Sequence, residues 1–313
     1  MSPLDAFTFA CPLCRTPWPP PYGQSLTCPH DQLTFSQIDG IWRCLLPQRA
    51  AHLHQFMQEY EAVRRAEGWG SSDPAYYRAL PFVDKSGRYA SIWHIRARSY
   101  RTLQKRLLPP EIGPQCILDL GAGSGWLAYR LAQAGHQVAA VDLMVNPWDG
   151  LGTHAYYEAA YLPLQAEFDH LPLADAQADL VIFNGAFHYA TSYEQTLGEA
   201  LRLLRPQGRL VIMDSPLYRD GRSGQQMVQE REEAFAGTHG FRGNALPHEN
   251  YLTYERLAQL AAALPLRWTF IQPWYGLRWA MRPWLARLRG HREPAAFQLI
   301  IGEPISDDFA IDR

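Results

Sequence analysis

The sequence predicts an α/β chain, a parallel sheet wound with helices, preceded by a small cysteine-bearing β module and a helical segment. Three observations carry this. Cys116–Leu120 and Val138–Val141 are short apolar runs of the kind found in strands buried on both faces. A turn with Gly121, Gly123 and Gly125 joins the first run to Trp126–Ala134, whose apolar residues follow helical spacing up to Gly135. Near the N-terminus, CPLC (Cys11, Cys14) and CPHD (Cys28, His30, Asp31) are separated by thirteen residues.

The N-terminal module spans 1–47. Two Cys-Pro-x-ligand knuckles joined by a hairpin-length segment have the spacing of a zinc ribbon, a closed structural site with only protein ligands. Cys11, Cys14 and Cys28 supply three thiolates. The fourth ligand is Asp31 by register, with His30 the alternative and Cys44 a third that would have to fold back from the strand. FSQIDGIWRCLLP then reads as a short β-element turning at Asp39-Gly40. Residues 48–110 form a helical cap. His52–Glu67 carries Leu53, Phe56, Met57, Tyr60 and Val63 on one stripe, SSDPAYYRALPF follows the Gly68–Gly70 break, and Tyr89–Leu108 is a longer helix rich in Arg, Tyr and Trp.

The core domain is expected over 111–313. Its first βαβ unit ends in Asp142, 21 positions beyond Gly121, and such a unit binds an adenosine-containing cofactor. The missing Cβ atoms let backbone approach the ligand, and the carboxylate accepts from ribose hydroxyls. A dinucleotide fingerprint would need glycine at 126, where Trp126 stands; the glycines run G-x-G-x-G instead. Downstream come LQAEFDHLPL (164–173), DLVIFNGAFHY (179–189), an amphipathic helix Tyr193–Leu204 and LLRPQGRLVIMD (203–214). A polar insertion at 219–250 contains a helix that reads as a lid. A helix capped by Thr253 follows, and Leu266–Gln272 and Ala296–Gly302 are expected as antiparallel sixth and seventh strands.

These motifs resemble, in order, those of the class I S-adenosylmethionine (SAM) methyltransferases, notably the methyltransferase domain 11 type. The resemblance implies a Rossmann-like seven-stranded fold and a SAM site made by Asp119, Gly121, Ala122, Gly123, Gly125, Asp142, Leu143, Glu167, Phe168, Asn184 and Gly185. Glu167 would meet the adenine amine, Phe168 pack on adenine, and Asn184 and Gly185 flank the methionine part. In small-molecule enzymes of this fold the preceding helices wall the substrate, which nominates Tyr76, Tyr77, Trp93 and Arg96, with His154, Tyr156, Tyr157 and Asp214 on the same edge of the sheet. Methyl transfer from a sulfonium is an in-line displacement accelerated mainly by alignment. A base is needed only where the acceptor must lose a proton, and His188 is the candidate.

The implied function is methyl transfer from SAM to the O, N or C atom of a small molecule, with S-adenosylhomocysteine as co-product. Two alternatives stand beside it. A zinc ribbon followed by GIWRCLLP and a SAM domain also resembles ribosomal RNA guanine methyltransferases, but residues 1–47 carry only Arg15 and Arg43 against Asp5, Asp31 and Asp39. The chain's net charge is −2, with 19% charged residues, which disfavours a phosphate-tracking surface and nucleic acid as a partner. The other alternative is a non-catalytic SAM-fold protein that docks a partner through the ribbon. MSPLDAFTFA lacks the basic start and apolar run of a signal peptide, no stretch of about 20 apolar residues occurs, and five cysteines fit a reducing environment. The expectation is a cytoplasmic protein of unspecified oligomeric state. The segment 276–292 places Leu277, Ala280, Met281, Trp284, Leu285 and Leu288 on one stripe and four arginines elsewhere. It is expected to pack on the protein's own surface or cap the pocket, with peripheral contact at a bilayer interface the alternative.

Overall fold

The computed structural model describes residues 6–243 and 245–305; Asp5, counted above in the charge of the N-terminal module, lies outside them. In chain order, β1 (Ser25–Thr27), β2 (Thr34–Ile38) and β3 (Ile41–Arg43) form the N-terminal meander. The helices α1 (Pro47–Glu67), α2 (Pro74–Ala79) and α3 (Ala90–Leu107) follow. The core then runs β4 (Cys116–Leu120), α4 (Trp126–Gln133), β5 (Gln137–Asp142), β6 (Leu162–Gln165), β7 (Ala178–Asn184), α5 (Tyr193–Leu203) and β8 (Leu204–Met213). A short β9 (Leu217–Tyr218) pairs with β10 (Leu252–Thr253) around α6 (Gly221–His239). The chain closes with α7 (Tyr254–Ala263), β11 (Leu266–Ile271), α8 (Leu277–Ala280), α9 (Arg282–Leu288) and β12 (Leu299–Pro304).

Seven core strands lie in the order β6-β5-β4-β7-β8-β12-β11, a Rossmann-like arrangement. The chain winds outward from β4 through β5 and β6, then returns to the other side of β4 for β7 and β8. Strand order therefore reverses at β4, where a crevice opens beyond the strands' C-terminal ends. Among these strands only β12 runs against the rest: it is antiparallel to both β8 and β11, so β11 is parallel to the core. The last two strands thus pair antiparallel as expected, with β12 beginning at Leu299 and not at Ala296. The N-terminal meander is not separate from this sheet. β3 pairs in parallel with β6, Trp42 opposite Leu164, and extends the sheet to ten strands.

Local chemistry sets the helix ends. α1 starts with Pro47, whose missing N–H costs nothing in a first turn, and stops at Gly68 in the left-handed region, with Arg64 and Arg65 in its last turn. Ser192 caps α5 through Gln195 N–H, and Thr253 caps α7 through Arg256 N–H. The two faces of the sheet bury separate clusters. One joins Phe9, Trp18, Phe35 and Trp42 of the N-terminal module to Phe183, Phe187 and Leu197; the other packs Tyr76, Tyr77, Trp93, Tyr100 and Trp126 over β4 and β5.

The segment 276–292 departs from expectation. Leu277 is 73% exposed, Met281 48%, Trp284 59% and Leu288 65%, so most of its apolar stripe faces outward, while Leu285 is half-buried. Pro283 is accommodated because a new helix begins at Arg282. No described helix is long and apolar enough to cross a membrane.

Candidate functional site

A cleft opens where β4 and β7 diverge, enclosing about 1130 Å³ with its solvent mouth included. Its floor is the turn after β4. Gly121 adopts φ +77°, and a Cβ there would run into the Ala186 methyl and the Phe168 ring. Only glycine lets this turn approach a ligand with its bare backbone. Asp142, at the end of β5, accepts from Gly123 N–H at 2.8 Å and Met144 N–H at 2.7 Å. Burial raises its carboxyl to a pKa of about 6. The turn and the carboxylate are thus tied together, and Asp142 lines one wall of the cleft.

Glu167 stands two residues beyond β6. Arg49, in the first turn of α1, grips it in a bidentate pair at 2.8–3.0 Å, and His170 Nδ1 lies 3.0 Å away. Phe168 packs edge-on against Phe183 and lines the cleft beside Glu167. On the far side are Asn184, whose Oδ1 is buried without a hydrogen bond, Gly185 and Ala186. The fit to a nucleoside-amino-acid ligand rests on these features: a cradle that a Cβ would fill, a carboxylate hydrogen-bonded to it, and an orphaned amide oxygen in the same cleft.

The roof is one stripe of α1: Arg49, Leu53, Phe56, Tyr60 and Arg64. Arg64 is locked to Asp149 at 2.5 and 2.8 Å and lies over the Trp69 ring at 3.8 Å. Burial holds the Tyr60 phenol above its ordinary pKa, so it enters the cleft as a hydrogen-bond donor. Tyr189 meets Tyr60 edge-to-face, and Leu246 closes the rim. Sequence reasoning missed Arg49, Arg64, Asp149 and Tyr189. The helical stripe of α1 was legible, but its neighbours on the other side of the cleft were not.

Of the residues nominated for the cofactor, Gly121, Ala122, Gly123, Asp142, Leu143, Glu167, Phe168, Asn184 and Gly185 line the cleft. Asp119 does not. It lies fully buried beneath the turn, neither oxygen bonded, its pKa raised by burial to about 7. Gly125 turns away to pack on Tyr161.

The expected substrate wall needs correction. Arg96 lines the cleft next to Gly185, its guanidinium 4.7 Å over the Trp93 ring, with no hydrogen-bond partner among the described residues. Tyr76, Tyr77 and Trp93 instead fill the core behind it, because α2 and α3 press their aromatic faces onto α4. Tyr77 also bonds Ser71 and the Trp148 carbonyl. Tyr157 gives its hydroxyl to the Ser124 carbonyl and stacks on Tyr129; Tyr156 stacks on Tyr77; His154 reaches the Asp39 carbonyl at 2.9 Å. Asp214 sits at φ +55°, behind Arg96, accepting from Ser99 at 2.5 Å, and burial raises its pKa. His188 is buried outside the cleft lining, 3.2 Å from Ser215 Oγ, and burial beside Arg231 pushes its pKa down to about 3. The imidazole is therefore neutral, in contact with Ser215 behind the residues that line the cleft. The helix α6, expected as a lid, lies outside the cleft; only Leu246, in the loop after it, reaches the rim.

Away from the cleft, Cys11, Cys14, Cys28 and Asp31 gather with ligand atoms all within 4.8 Å of one another. Asp31 Oδ2 lies 3.2 Å from Cys11 Sγ and 3.3 Å from Cys28 Sγ, and Cys14 lies 3.5 Å from Cys28. His30 is exposed and outside this group, and Cys44 is buried apart from it.

A family model described as a methyltransferase domain matches residues 118–212. Malonyl-[acyl-carrier protein] O-methyltransferase of Hahella chejuensis is 33% identical over 197 residues, which is 59% of this chain and 65% of that protein. The protein of the same name from Pectobacterium atrosepticum is 31% identical, over 58% of this chain and 72% of the relative. Dimethylglycine N-methyltransferase of Parasynechococcus marenigrum is 35% identical over 41% of this chain and 47% of its own length. This chain thus spans between about half and under three quarters of these relatives.

Proposed function

The chain belongs to the class I SAM-dependent methyltransferases, and from that premise we propose that it transfers a methyl group to a small-molecule acceptor held at the β7–β8 side of the cleft. The observation that carries this reading is the assembly of Gly121–Gly123, Asp142, Glu167 and Asn184 around one crevice. SAM bound there supplies an electrophilic methyl on a sulfonium. The residues of this chain bind and align. Asp142 takes the ribose hydroxyls, Glu167 held by Arg49 faces the adenine amine, and Phe168 covers the ring. The acceptor side is Phe56, Tyr60, Tyr189, Leu246 and Arg96, an aromatic wall with one guanidinium free to pair. α1 borders both halves through Arg49, Leu53, Phe56, Tyr60 and Arg64.

Relatives named for O-methylation of malonyl-[acyl-carrier protein] and for N-methylation of dimethylglycine favour a small acceptor group without selecting the atom. The ribosomal RNA reading draws no comparable support. Of the two cations in the N-terminal module, Arg15 pairs with Glu199 at 3.3 Å and Arg43 is half-buried. The Cys11–Cys14–Cys28–Asp31 group supports structural zinc. Tetrahedral ligands about 2.3 Å from the metal lie roughly 3–4 Å apart, and the site has no open position for catalysis. Metabolite extracts incubated with the enzyme and methyl-labelled SAM, beside ribosomal RNA under the same conditions, test the proposal. Label in small molecules alone is expected, whereas label in RNA alone would overturn it.

A further inference from the structure

The α8–α9 segment is fixed on one side and bare on the other. Tyr275, just before it, is buried and bonds Ser99 Oγ at 2.9 Å. Trp279 stacks on Phe297 with centroids 5.6 Å apart, and the Arg282 guanidinium lies 3.8 Å over the Trp279 ring. Arg292 ties the far end to Glu230 of α6 at 2.7 Å. With the inner face so held, Trp274, Leu277, Met281, Trp284 and Leu288 project outward, Trp274 being 60% exposed. The last four fall at i, i+4, i+7 and i+11, a single line along the two helices. Such a row of large apolar groups on a surface marks something that covers it.

Charge indicates what covers it. Residues 276–292 contain five arginines and no acid, in a chain whose net charge is −2. Among the described residues only Arg292 of these five has an ion pair; Arg278, Arg282, Arg287 and Arg289 have none. A second copy docking by two-fold symmetry would set these arginines against each other. A nucleic acid would take the arginines and leave the tryptophan and leucines in water. An anionic bilayer surface meets both demands, headgroups pairing with guanidinium groups while the apolar line enters the acyl boundary. We propose that the α8–α9 segment is an interfacial anchor that seats the enzyme on membranes bearing anionic lipid. The anchor stands whatever acceptor the cleft methylates.

Sedimentation of the full chain with phosphatidylglycerol or phosphatidylcholine vesicles tests this, with tryptophan emission followed in parallel. Binding to the anionic vesicles, weakened by salt and accompanied by a blue shift, is expected. Trp284→Glu with Leu288→Glu should reduce it to the phosphatidylcholine level. Arg287→Ala with Arg289→Ala should cost about 30-fold in partition, since each arginine near an anionic surface contributes roughly 1 kcal/mol. Unchanged S-adenosylhomocysteine affinity certifies that the variants are folded. The proposal fails if the wild type ignores both vesicles, if either double variant binds as wild type does, or if the stripe proves to bury itself in a concentration-dependent dimer or an RNA complex with no vesicle binding.

Discussion

Replacing Asp142 by Asn keeps the shape of the side chain and removes its charge. The carboxylate already accepts Gly123 N–H and Met144 N–H, one on each oxygen. An amide can accept on one side only, so one of these N–H groups would face the new NH2, and the ribose would lose a charged acceptor. A bond to a charged group contributes about 1.5–3 kcal/mol, so the variant should bind S-adenosylhomocysteine at least about 10-fold more weakly. The pH dependence provides an independent check. Burial raises the carboxyl to about 6, so lowering the pH through that value protonates it and removes the form that accepts from hydroxyls. At about pH 5 only roughly a tenth remains ionised, so the wild-type affinity should fall about 10-fold from pH 8, with protons released on binding. Calorimetric titration in buffers of different ionisation enthalpy reads both quantities. An Asn variant within about threefold of wild type at pH 8, or a wild-type affinity flat across this range, would refute the assignment of Asp142 as the ribose acceptor.

Purified protein should carry about one zinc per chain by elemental analysis, and Cys11→Ser should lose it and open the N-terminal module to protease. Arg49→Ala should strand Glu167 in its buried position and weaken S-adenosylhomocysteine binding about 10-fold, with a lower melting temperature by calorimetry; an unchanged affinity would separate Glu167 from the ligand. His188→Ala should leave cofactor affinity within about twofold while costing roughly 1–3 kcal/mol in denaturant unfolding, because it removes a buried bond to Ser215 and nothing in the cleft.

The strands β4, β5, β7 and β8 were legible because a strand buried on both faces has little choice but a continuous apolar run, and the glycine turn and Asp142 came with them. The zinc-type cluster was legible for a similar reason, since ligand spacing is local. Long-range partnership was not legible. The stripe Leu53–Phe56–Tyr60 identifies a helix face, but only the fold shows that this face roofs the cleft while the richer Tyr76–Tyr77–Trp93 set backs it from the core. His188 lies at a strand mouth by sequence and behind the wall in space, because the turn after Asn184 carries it past the opening. Leu277, Met281, Trp284 and Leu288 have the same periodicity as a packed helix, and hydrophobicity alone does not say whether a partner exists within the chain.

The parallel pairing of β3 with β6 has a consequence for handling the protein. Strip away the first 47 residues and β6 becomes an open border, its N–H and C=O groups facing water beside the loop that carries Glu167. Cys44 N–H now satisfies the Gln165 carbonyl at 2.8 Å, and Ala10 N–H the Pro172 carbonyl at 3.0 Å. An unprotected border of this sort recruits other chains and seeds aggregation. In the intact protein the border is pushed out to β1, three residues long and too short to template a newcomer. The cysteine module is therefore the selvedge of the sheet, and a catalytic fragment cut at its edge should precipitate before it can be assayed.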